Sequence, residues 1–154
     1  MFLHLADVIW PALFVEDRLF SLWPICLGLL VEFFFVRGLT TLKLGRCVVA
    51  DCTMNAISAL LGIFLLPIAG LAWEVFPGIL ICKVFHVGTF NPGTWAATFL
   101  FAVAVNAVLE SAVLRFIFMQ RQPFKRLFWW LCVANSLSVA LAFVSLYLHP
   151  PHHP

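Results

Sequence analysis

The chain has 154 residues, of which 64% are hydrophobic and 10% charged, with a net charge of +2 and a mean hydropathy of +1.06. A chain this short cannot cover that much apolar surface with a polar coat, so a single water-soluble core is excluded and the expected solvent is lipid. The small positive balance comes without a basic, aromatic-studded soluble face, which excludes a nucleic-acid partner.

Residues 1–18 carry Asp7, Glu16 and Asp17 and lack a basic start, so they do not read as a signal peptide. Their apolar part is too short to span and is broken by Pro11, which predicts an interfacial N-terminal segment lying along the membrane. Four runs then follow, at 19–36, 47–71, 95–119 and 127–148, each apolar nearly all round and long enough to cross a hydrocarbon core of roughly 30 Å. Between the second and third runs, residues 72–94 hold the turn signals Pro77-Gly78, Gly88 and Asn91-Pro92-Gly93 around an apolar run at 79–85. Seven residues cannot cross, so a re-entrant or interfacial connection is expected there. The predicted class is an all-α integral membrane protein forming one membrane domain. It comprises the interfacial segment 1–18, a helical hairpin at 19–71, the outer connection 72–94, a second hairpin at 95–148 and a His/Pro tail at 149–154.

The two hairpins read as a tandem internal repeat. Glu32 and Arg37, then Arg46, Asn55 and Ser58, recur as Glu110 and Arg115, then Arg126, Asn135 and Ser138, with the same spacing inside each group. The basic residues set a direction. Arg37, Lys43 and Arg46 in one short loop and Arg115, Arg121, Lys125 and Arg126 in the other make seven of the nine, and neither loop holds an acid. The opposite side receives Asp7, Glu16, Asp17 and Glu74 against Arg18 and Lys83. By the positive-inside rule both loops face the cytoplasm and both termini lie outside, as expected for a multi-pass protein of a bacterial inner membrane. Trp10, Trp23, Trp73 and Trp95 at the outer boundary and Trp129 and Trp130 at the inner one read as interface anchors.

Counting inward from the basic edges places the polar residues in layers. Five positions in from Arg37, Arg46 and Arg115 stand Glu32, Asp51 and Glu110, and the matching place on the fourth run is Leu131. Nine positions in stand Asn55, Asn106 and Asn135, with Gly28 in the equivalent place on the first run, and twelve in stand Ser58 and Ser138. Asp51 with Asn55, Asn106 with Glu110, and Asn135 with Ser138 are spaced so that each pair shares one helix face. An ionisable group facing lipid at that depth costs about 3 kcal/mol or more, so these stripes are expected to point inward. They are expected to serve as inter-helix ties, as a proton or cation site, or as a binding surface for a partner helix. The five-residue spacing turns Glu32 and Arg37, and likewise Glu110 and Arg115, about 140° apart, which argues against ion pairs within a helix.

Cys26, Cys47, Cys52, Cys82 and Cys132 form no CxxC pair or zinc pattern, which argues against thiol redox chemistry; those in the spans read as small packing residues, and for Cys82 a free thiol and a link to another subunit are both open. His149, His152 and His153 crowd the Pro-rich tail and are weak metal candidates, because an unstructured terminus offers no preorganised geometry. No catalytic or phosphate-binding motif is present and no cofactor is implied. The expected function is therefore non-enzymatic. It is that of a structural or accessory subunit working in the lipid bilayer, partnered by other membrane subunits or by itself, with Glu32, Asp51, Asn55, Ser58, Asn106, Glu110, Asn135 and Ser138 as its buried polar layers. The alternative is a transport or channel component using Glu32, Asp51 and Glu110.

Overall fold

A computed structural model describes residues 22–73, 75, 78–85 and 92–148. The expected interfacial segment, the His/Pro tail, Glu74 and His86 lie outside the described residues. Those described form five α-helices and no strand. They are α1 (Leu22–Leu39), α2 (Leu44–Trp73), α3 (Ile79–Phe85), α4 (Pro92–Ala112), which runs on into a π-helical turn at Val113–Ile117, and α5 (Phe124–Leu148).

Three of the helical segments, Leu44–Trp73, Pro92–Ile117 and Phe124–Val144, are long and apolar enough to cross a membrane. At about 1.5 Å per residue, even the shortest spans roughly 30 Å. None has a distinct apolar stripe, because Leu, Ile, Val and Phe are spread around the whole circumference. This is the pattern of helices solvated by lipid on the side that their neighbours leave bare. Leu60, Phe64 and Ile68, a row on the flank of α2, are among the more exposed apolar side chains. The helix α3 has seven residues, as its apolar run allows, and is too short to cross.

The four long helices pack in a ring in the order α1, α2, α4, α5, with α5 returning to α1 and the α1–α2 contact the least extensive of the four. Two apolar clusters fill the ring. One gathers Val36, Ala50, Met54, Leu114, Leu127 and Leu131, so the end of α1, the starts of α2 and α5 and the π turn all meet. Both basic loops therefore lie at the same end of the bundle. The other cluster, Leu66, Ala102, Val103 and Val139, lies further along the helices. The polar residues extend from the level of the first cluster, at Asp51 and Glu110, to the edge of the second, at Ser138.

The loops are closed by their own arginines. Arg37 Nη1 donates to the Leu42 carbonyl at 2.7 Å and Arg115 Nη1 to the Gln120 carbonyl at 2.6 Å, each five residues along the chain. The guanidiniums thus bond carbonyls of the loops that follow, at Leu42 and Gln120. Thr40 also turns back, donating from Oγ1 to the Val36 carbonyl at 2.8 Å. After the π turn the chain reverses through Met119, whose φ of 48° is left-handed and is the one positive value among the described non-glycine residues. A side chain there costs about 1–2 kcal/mol, partly offset by the larger unfolded-state entropy of glycine. Since Met119 is 80% exposed and loses little packing, Met119→Gly is expected to stabilise the protein by about 0.5 kcal/mol, read as a higher unfolding midpoint in detergent.

Candidate functional site

The polar layer is built by four helices, each contributing what its spacing allows. Glu110 on α4 is fully buried and accepts two bonds from different neighbours. Asn135 Nδ2 of α5 donates to its Oε2 at 2.6 Å, and Ser58 Oγ of α2 donates to its Oε1 at 3.4 Å. Glu32 on α1, 2% exposed, accepts from Ser138 Oγ of α5 at 2.6 Å through Oε1. Asn55 stands beside Glu32, as Asn135 stands beside Glu110, but directs its Nδ2 to the Asp51 carbonyl at 3.0 Å.

Each serine thus bonds the glutamate of the other helix pair: Ser58 of α2 reaches Glu110, and Ser138 of α5 reaches Glu32. The donors also have local alternatives. Ser58 Oγ lies 3.1 Å from the Asn55 carbonyl, Ser138 Oγ lies 3.4 Å from the Ala134 carbonyl, and Asn135 Nδ2 also reaches the Leu131 carbonyl at 3.0 Å. A hydroxyl has one proton to give, so each serine shares it between its own turn and the neighbouring helix.

Two carboxyl oxygens are left over. Glu32 Oε2 and Asp51 Oδ1 are buried without a hydrogen-bond partner. Glu32, Asp51 and Glu110 are near enough to act on one another electrostatically, and no lysine or arginine among the described residues pairs with them. Of the eight polar positions read from the sequence, Glu32, Asp51, Ser58, Glu110, Asn135 and Ser138 are buried. Asn55 and Asn106 are half-buried, and Asn106 makes no bond to Glu110 despite sharing its face.

Glu32, Asn55, Ser58, Asn106 and Ser138 all line one cleft of about 310 Å³. Its floor is buried, at Gly28, Glu32, Ser58, Gly62 and Ser138, while its rim on α2 is exposed, at Cys52, Ala56, Ala59 and Ile63. It opens sideways between α1 and α2, where the ring is loosest and glycine and alanine leave room. The remaining walls, among them Ile25, Leu29 and Leu66, are apolar.

Four buried polar residues among those described escaped the count from the loop edges. Ser111, adjacent to Glu110, is fully buried with its Oγ unpartnered, Gln120 is buried at the turn and Thr94 near the start of α4, and Thr40 meets Cys47 at 3.7 Å. Ser111 sits four positions from the edge Arg115, and only its absence from the first helix pair kept it out of the repeated pattern. Among the described residues no group of three metal-ligating side chains comes together, and the histidine-rich tail lies outside them. Cys26, Cys47, Cys52 and Cys132 are free thiols.

Comparison with protein families, with curated proteins and with solved structures gives no match.

Proposed function

We propose that this chain is a small four-span membrane protein that works as a structural or accessory subunit of a membrane complex, its carboxyl, amide and hydroxyl layer tying the helices into one bundle. The observation that carries this reading is Glu110, a buried carboxyl whose two oxygens are held by donors from two other helices. A carboxyl so engaged sets helix register, and each such bond in a membrane contributes about 0.6–2 kcal/mol. It is poorly placed to carry a proton or ion. The exposed apolar flank of α2 offers surface to lipid or to a partner helix.

On this reading α1 is the fourth span, and the two hairpins are duplicated units. The duplication is supported by the matched contacts: Arg37 and Arg115 each donate five residues ahead, each glutamate has an asparagine beside it, and each takes a serine from the opposite pair. The common end of the two basic loops supports their lying together on the cytoplasmic side of a bacterial inner membrane, with both termini across it. The subunit performs no catalysis of its own.

Gentle extraction from the native membrane, with mass spectrometry of the particle, tests the proposal. Stoichiometric recovery with a larger complex is expected, and a lone monomer would overturn it. The second reading, a proton- or cation-coupled transport component, is favoured by the unpartnered Glu32 Oε2 and Asp51 Oδ1. Gln in place of Glu32 or Glu110 separates the two. A tie tolerates the amide and keeps the complex, whereas a carrier folds normally but loses flux in liposomes.

A further inference from the structure

The cleft between α1 and α2 combines an apolar wall, a lateral mouth and, on its floor, a buried carboxyl with one oxygen lacking a partner. Buried polar atoms in folded proteins are almost always bonded, so Glu32 Oε2 calls for a donor. Ser138 holds Oε1, and Asn55, beside Glu32, gives one amide hydrogen to the backbone carbonyl of Asp51, while Oε2 has no partner. The open approach is the cleft.

We propose that this cleft binds a membrane-dissolved amphiphile with a protonated amine head, the amine donating to Glu32 and the chain lying between α1 and α2. Three observations select that chemistry. The carboxyls of Glu32, Asp51 and Glu110 act on one another without a protein cation among the described residues, so a positive head complements them. The lining offers neutral oxygens from Asn55, Asn106, Ser58 and Ser138 for the remaining ammonium hydrogens, and no lysine, arginine or histidine to repel it. The volume of about 310 Å³ is at the lower end of the range for small-molecule sites, roughly 300–1,000 Å³. It admits a head and the first methylenes of a single chain and leaves the rest in lipid.

This inference stands apart from the assembly role, since a subunit that fails to co-purify with a complex would still bind the amine. The test uses the full chain in phosphatidylcholine nanodiscs with dodecylamine as the probe, and dodecanol and dodecanoate as its neutral and anionic counterparts. Saturable binding of about one dodecylamine per chain by native mass spectrometry is expected, at least tenfold tighter than either counterpart. Glu32→Gln, which keeps an acceptor for Ser138, should weaken it at least tenfold. Gly62→Leu should do the same by filling the cleft, because a side chain built at Gly62 meets only Leu66 Cδ1, at 4.0 Å. If Glu32→Gln fails to fold, Gly62→Leu and the three head groups on the unaltered chain still decide.

Competition by phosphatidylethanolamine in the disc would identify a lipid headgroup as the source of the amine, and lack of competition a free amphiphile; both sustain the proposal. It is overturned if dodecanol binds as tightly as dodecylamine, or if neither Glu32→Gln nor Gly62→Leu weakens binding. Two further results would also overturn it. No saturable binding would leave Oε2 to water, and a dimer that excludes the amine would give the cleft to a second copy of the chain.

Discussion

Glu110→Ala is expected to destabilise the bundle by about 2–3 kcal/mol, whereas Glu110→Gln should cost less than about 1 kcal/mol. The alanine removes acceptors for Asn135 and Ser58 at once and leaves a hole in a fully buried position. The loss stays below the 3–5 kcal/mol typical of breaking a buried ion pair, because neither donor is stranded. Asn135 keeps the Leu131 carbonyl and Ser58 keeps that of Asn55. Glutamine retains nearly everything, since its carbonyl accepts from Asn135 and its amide donates to the Ser58 oxygen. Of the two bonds the shorter matters more, so Asn135→Ala should cost more than Ser58→Ala. Reversible unfolding in mixed detergent micelles by SDS titration measures all four. Equal stabilities of Glu110→Ala and Glu110→Gln would remove the tie as a source of stability.

Gly28 supplies the second large effect and a change of sign with side-chain size. A methyl group built there stands 3.4 Å from Ser138 Oγ and 3.5 Å from Ser138 Cβ, which is ordinary contact. In a helix interior alanine is favoured over glycine by about 1 kcal/mol, so Gly28→Ala should be neutral or slightly stabilising. Gly28→Leu must push Ser138 away from Glu32, taking the 2.6 Å bond with it. Overpacking of this kind costs about 1–3 kcal/mol, to which the lost bond adds. The same SDS titration should therefore place the alanine variant at or above the unaltered chain and the leucine variant well below it. The leucine also occupies the cleft, so its loss of stability should be accompanied by loss of dodecylamine binding.

The polar layer illustrates how far residue spacing reaches. Counting from Arg37, Arg46, Arg115 and Arg126 places Glu32, Asp51, Glu110, Asn135, Ser58 and Ser138 inside the bundle, and all six are buried. The count works because an apolar helix advances by a constant rise, which makes distance from a charged edge a measure of depth. It fails for Asn106, which shares a helix face with Glu110 yet takes no part in its bonds. Sharing a face limits direction to a broad sector, and the packing of neighbouring helices decides which side chain reaches a partner. The π turn at Val113–Ile117 was not legible for a related reason. Nothing in Val-Leu-Arg-Phe-Ile resists an ordinary helix, and the wider turn forms where α4 meets the loop that Arg115 closes.

Composition and hydropathy suffice to make the chain helical and apolar enough to cross a membrane. Spacing along the chain also located the long apolar runs and six of the polar residues that are drawn inside. These follow from local quantities, namely hydropathy, helix rise and the cost of exposing a charge to lipid. Helix packing, in contrast, sets that Ser58 bonds Glu110 and Ser138 bonds Glu32, that Glu32 Oε2 is left over, and that the bundle is loosest between α1 and α2. Those depend on the rotation of each helix about its axis and on the order of helices around the ring. Helices that are apolar on every side do not encode that rotation in their periodicity, and the close packing of Met54, Leu114, Leu127 and Leu131 sets it instead.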